Sequence, residues 1–145
     1  MEDLTSRPLP LALFALVSAS PLALFAAGLW LGGVWALAAL LYMTLFAVAL
    51  DQIRGFFMGN APEGAEFPAA DALLVALALG HMALLPMAVA GIAGPSGLAP
   101  WEKGALFAAT GLWFGQVSNP AAHELIHRGN RWLHLLGVAI YGSLL

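Results

Sequence analysis

The segment NPAAHELIHRGNRWLH, Asn119 to His134, holds three of the four histidines in the chain. His123 and His127 bracket Glu124 in the pattern H-E-x-x-H. On a helix, positions i and i+4 lie on one face a turn apart, so these two imidazoles can serve one ion. Neutral imidazole suits zinc and iron alike, so two ligands do not choose the metal. Glu124 sits about 100° round the helix from His123, where it could act as a base, support a ligand or accept a salt bridge. Asn119, a turn earlier, could cap the helix or hydrogen-bond to a ligand ring. Gly129-Asn130 is expected to break the helix, which sets His134 apart as an interfacial residue rather than a ligand. Arg128 and Arg131 are expected to be interfacial anchors. His81 stands alone between Gly80 and Met82; a histidine hydrogen-bonded between helices and a functional one are both open. Asp51 is either a plain helix-end charge or a carboxylate facing a metal-bearing bundle.

These residues sit in an apolar frame. Hydrophobic residues make up 61% of the chain and charged ones 9%, where a soluble domain carries about a quarter; the mean hydropathy is +0.87. From Pro8 to Leu50 there is no Asp, Glu, Lys, Arg or His. As one helix that run would measure roughly 65 Å, about twice a bilayer core of ~30 Å, so it must turn back. The break falls at Gly28-Leu-Trp-Leu-Gly32-Gly33, predicting spans over Leu9–Leu29 and Val34–Leu50. A polar loop follows from Asp51 to Pro68, with room for a short interfacial helix at its start. A third span covers Ala69–Ile92, ended by the turn Gly94-Pro-Ser-Gly97. A fourth runs from Gly104 towards Val117 and continues, kinked by Pro120, through the histidines. Trp132 to Leu145 begins another apolar run, shorter than the roughly twenty residues of a span. The chain therefore reads as the N-terminal part of one membrane-embedded domain, an all-α polytopic bundle of about four spans plus the start of a fifth.

Charge and cysteine content exclude several classes. With no cysteine, neither a disulfide framework nor a thiolate metal site is possible. A net charge of −3 gives no argument for a polyanionic partner, and no nucleic acid is expected. The amino terminus MEDLTSR is acidic and the apolar stretch after it too long for a cleaved signal, so the first span is expected to be retained. With four crossings, Arg7, Arg54, Arg128 and Arg131 fall on one side and Lys103 on the other. The positive-inside bias makes the first side cytoplasmic, and His123 and His127 lie there.

Ionisable groups at the end of an apolar span are costly and usually functional. Three classes fit. An intramembrane zinc protease would use Glu124 as general base on a zinc-bound water and would need a third protein ligand. An oxygen-activating non-haem iron enzyme would need many more histidines to hold two irons. A membrane scaffold or transporter would carry its histidines incidentally.

Asn119-Pro-Ala-Ala-His-Glu-Leu-Ile-His-Arg128 resembles the first histidine box of the membrane alkane 1-monooxygenases, relatives of the fatty-acid desaturases and hydroxylases. Leu50-Asp-Gln-Ile-Arg-Gly55 followed by Asn60-Ala-Pro-Glu63 is similar to the polar stretch after that family's second span. The tryptophan- and glycine-rich fourth span and Arg131-Trp132-Leu133 fit as well, so the likeness runs from about Leu41 to the end. There are departures. Pro120 stands where the family has a hydroxyl residue, and Gly55-Phe-Phe-Met-Gly59 replaces a Gly-Glu-Asp stretch. The later H-x-x-x-H-H and H-x-x-H-H boxes are expected beyond Leu145.

The resemblance implies an integral protein of the bacterial inner membrane with a non-haem di-iron centre at its cytoplasmic side. It would insert one oxygen atom of O2 into the terminal C–H bond of an alkane, with electrons from rubredoxin and its NAD(P)H-dependent reductase. His123 and His127 would be iron ligands. Glu124 would support a ligand, with Asn119, His81 and Asp51 as further supporting or structural groups. Two histidines do not hold two irons, so these 145 residues alone are expected to be inactive.

Overall fold

The uncharged run from Pro8 to Leu50 reverses at a pair of glycines. The computed structural model describes residues 8–57 and 70–145. Helix α1 (Pro8–Leu31) and helix α2 (Val34–Phe57) are joined by Gly32 and Gly33, with φ of 61° and 54°. A side chain is strained in this left-handed region, so the turn needs glycine. Helix α2 continues through Asp51 to Phe57, so the start of the expected loop is helical. Gln52, Ile53 and Arg54 have no helix-breaking character and no proline intervenes. Arg7, Asn60, Pro62, Glu63 and Glu66, on which other expectations rest, lie outside the described residues.

Helix α3 (Ala70–Ile92) matches its expected span within a residue. Helix α4 (Pro100–Trp113) starts earlier than Gly104, because Pro100 suits a first turn and Glu102 caps it. The Glu102 carboxylate accepts Ala99 N–H at 2.6 Å. The rod continues as a π-helical segment, Phe114–Ser118, into α5 (Asn119–Ile126). After the break at Gly129-Asn130 comes α6 (Arg131–Leu144), capped by the Asn130 side chain accepting Trp132 N–H at 2.9 Å. Every regular element among the described residues is helical; the chain is all-α.

Helices α1 and α4 form the centre, each touching α2 and α3 as well as each other; α5 and α6 pair with one another and lean on α3. Trp113 is fully buried there. Its indole N–H donates to the Ser18 carbonyl at 3.1 Å, and the Phe25 ring meets it edge-on at 6.3 Å. A second core cluster joins Ala78, Ala122, Leu125 and Ile140.

Pro21, inside α1, has no N–H for the Val17 carbonyl. The Ser20 hydroxyl donates to that carbonyl instead, at 3.0 Å, and so accepts from the Tyr42 hydroxyl of α2 at 2.6 Å. Hydroxyls serve this purpose where water is scarce.

The outer surface is apolar. Leu16, Leu31, Leu45, Leu79 and Phe107 are each at least 60% exposed. Among the described residues one helix, α3, is long and apolar enough to cross a membrane; Ala15–Leu31 and Val34–Phe46 are shorter apolar stretches. Exposed Trp30, Trp35 and Trp101 stand at the end of the bundle where the α1–α2 turn meets α4.

Candidate metal centre

Pro120 determines how the histidine turn leaves the bundle. It lacks the N–H that Gln116 O would accept, and its ring crowds that carbonyl. The helix widens just before it, and Asn119 N–H reaches Phe114 O, five residues back. The expected kink is therefore a π segment, a form common at functional sites. The buried stripe Leu106, Thr110, Trp113 widens across the π segment to Val117 and Ser118 and continues as Ala121, Ala122 and Leu125. In an uninterrupted α-helix it would continue through Val117, Pro120 and Glu124, aiming a carboxylate into the core. The extra residue puts Leu125 inside and leaves His123, Glu124 and His127 exposed.

The two imidazoles face one another with ring centroids 4.7 Å apart and planes at 60°. Two rings sharing an ion at about 2.1 Å per nitrogen would have centroids about 4.5–5 Å apart, so the pair fits a common metal. Among the described residues no group of three or more His, Asp or Glu side chains is placed to hold an ion. The pair offers two donors and no third beside them among the described residues.

The last turn of α5 is tightened: His127 N–H bonds Glu124 O and Arg128 N–H bonds Leu125 O, each at 3.2 Å. His134, expected to be interfacial, closes this turn from α6. Its Nδ1 lies 2.8 Å from the Ile126 carbonyl, which can only accept, so Nδ1 carries the proton. Gly137 lets α6 come this close, since a Cβ there would stand 2.8 Å from Ala122 O.

Arg128 is not a plain interfacial anchor. Its Nη2 lies 3.1 Å from Glu124 Oε1 and its Nε 3.1 Å from Asp71 Oδ1 on the first turn of α3. Arg131 lies over the exposed Trp132 ring at 5.7 Å. Glu124 is thus paired beside the imidazoles rather than presented to them. Asp71 escaped the sequence reading, where an acid on a helix's first turn signals only a helix start.

The other residues singled out from the sequence stand apart. Asn119 is exposed and, among the described residues, bonds neither imidazole through its side chain. The Asp51 side chain lies outside the described residues. His81 is fully buried against the Phe114 ring, 4.8 Å between centroids. Its Nε2 lies 2.8 Å from Ser143 Oγ, which itself donates to Ile140 O at 2.7 Å, so Nε2 is the donor. His81 Nδ1 and Ser118 Oγ are buried without a partner among the described residues. His81 therefore joins α3 to α6 and does not meet the exposed pair.

Below the histidine turn lies an apolar cavity of about 220 Å³, lined by Phe46, Leu74, Leu77, Val117, Pro120 and Ala121 among others. Pro120, His123 and His127 follow one another at helical spacing, so the cavity wall and the imidazoles share a face. No known family model matches the chain, and neither a curated protein nor a solved structure does.

Proposed function

We propose that the chain is part of an integral-membrane, non-haem di-iron monooxygenase that hydroxylates the terminal carbon of alkanes, with His123 and His127 as iron ligands. The observation that carries this reading is the imidazole pair, 4.7 Å between centroids, at the charged end of an apolar bundle. The pair supplies two ligands; the remainder of a di-iron centre must come from outside the described residues. When bound, the iron pair would supply the reductive activation of O2.

The chain's own residues bind, orient and exclude water. His123 and His127 hold metal, Arg128 keeps Glu124 to one side, and the apolar cavity walls suit a hydrocarbon that partitions into lipid. The exposed apolar flanks suit a bilayer and the tryptophans at the far end suit its interface. By the positive-inside bias the imidazoles face the cytoplasm of a bacterial inner membrane, where rubredoxin and its reductase deliver electrons. A zinc protease is less well supported, because its general base would be Glu124, which is paired with Arg128.

The test is made in the cell that produces the chain. Cells are given a series of n-alkanes under ¹⁸O₂, and terminal alcohols are measured by gas chromatography–mass spectrometry. Labelled 1-alkanol is expected from wild type, and its loss from His123→Ala and His127→Ala. Undiminished alcohol in both variants would overturn the reading.

A further inference from the structure

Two i,i+4 pairs run side by side on the last turns of α5: the imidazoles His123 and His127, and the ion pair Glu124 and Arg128. One residue, about 100° of helix, separates them. This end of the rod is held weakly by its own backbone. It is eight residues long, follows a π segment, and finishes in three-residue hydrogen bonds rather than α-helical ones. Helix ends of this kind fray, and fraying here would take His127 away from His123. The turn is tied to α3 by the buried packing of Ala122 and Leu125 with Ala78 and, at its outer edge, by the ion pair from Arg128 to Asp71.

We infer that Asp71 is a positioning residue for the metal pair. Through Arg128 it holds the Glu124–Arg128 turn against the start of α3 and so keeps His127 in register with His123. The inference rests on the proposal that the two histidines bind metal, and it adds a residue that touches neither imidazole. The Asp71 and Glu124 side chains are 54% and 53% exposed, whereas Arg128 is 19% exposed. Exposed ion pairs are weak, so the effect of Asp71 on the register of the pair is expected to be a few-fold change in metal affinity.

The probe is Ni²⁺ alone, titrated calorimetrically into the untagged chain in detergent micelles, with the metal-free thermal midpoint measured alongside. His123→Ala is expected to abolish the site. Asp71→Asn is expected to weaken Ni²⁺ binding about three- to fivefold with the metal-free midpoint unchanged, and Asp71→Glu to restore most of it. Unchanged affinity in Asp71→Asn, with binding lost in His123→Ala, would overturn the role of Asp71 and leave the metal site standing. A fall in affinity matched by a fall in the metal-free midpoint would also overturn it, because Asp71 would then act on the fold. Equal binding by His123→Ala and wild type would instead sink the metal reading itself.

Discussion

Glu102, on the first turn of α4, accepts the backbone N–H of Gly33 in the α1–α2 turn, 69 residues away in sequence. Its other carboxylate oxygen accepts Ala99 N–H at 2.6 Å, so one side chain closes the turn and starts the next helix but one. Glu102→Ala strands both donors, and about 1–3 kcal/mol of stability should be lost. Glu102→Gln keeps an acceptor and should lose less. Unfolding free energies in mixed micelles check this, and an alanine variant as stable as wild type would refute it.

The exposed and the buried histidines should separate cleanly. His123→Ala removes an exposed ring with no hydrogen bond to another described residue and should change stability by no more than about 0.5 kcal/mol, while abolishing metal binding. His81→Ala removes a fully buried ring and its bond to Ser143, and should cost about 2–4 kcal/mol. Thermal unfolding paired with Ni²⁺ titration of the folded fraction makes the comparison. Equal stability losses in the two variants would show the assignment of roles to be wrong.

Pro120→Ala returns the missing N–H. The regained helical hydrogen bond is opposed by the turning of Glu124 towards the core in place of the buried Leu125, so closure of the π segment should lower the stability of the metal-free chain. The π segment should close to an α-helix, turning α5 by about 100° relative to α4 and weakening metal binding. Amide exchange at Ser118 and Asn119 should slow. An exchange pattern and affinity identical to wild type would mean that Pro120 does not cause the π segment.

Gly137→Ala would place a Cβ 2.8 Å from Ala122 O and 3.0 Å from Ile126 N. Helix α6 would have to lift from α5, carrying His134 away from the Ile126 carbonyl, at about 1–3 kcal/mol. The His134 ring resonances should shift in the variant. Unmoved resonances and stability would show that the helices have slack there.

What could be read from the sequence was whatever depends on a residue and its near neighbours. The glycine turn, the limits of α3, the break at Gly129-Asn130 and the shared face of His123 and His127 all follow from local composition and spacing. Asp71 with Arg128, His134 with Ile126 and Glu102 with Gly33 were not readable, because each joins elements whose relative placement only packing decides. Pro120 signalled a disturbance but not its form: a kink and a widened turn both relieve the same clash.

The hydroxyl chain from Tyr42 through Ser20 to Val17 also has a consequence for motion. Alanine and leucine faces of two helices can slide or roll past one another at small cost, because dispersion has no direction. A hydrogen bond has one. The proline that removes a donor from α1 thereby creates an angular stop between α1 and α2, indexing how far the two helices can roll against one another.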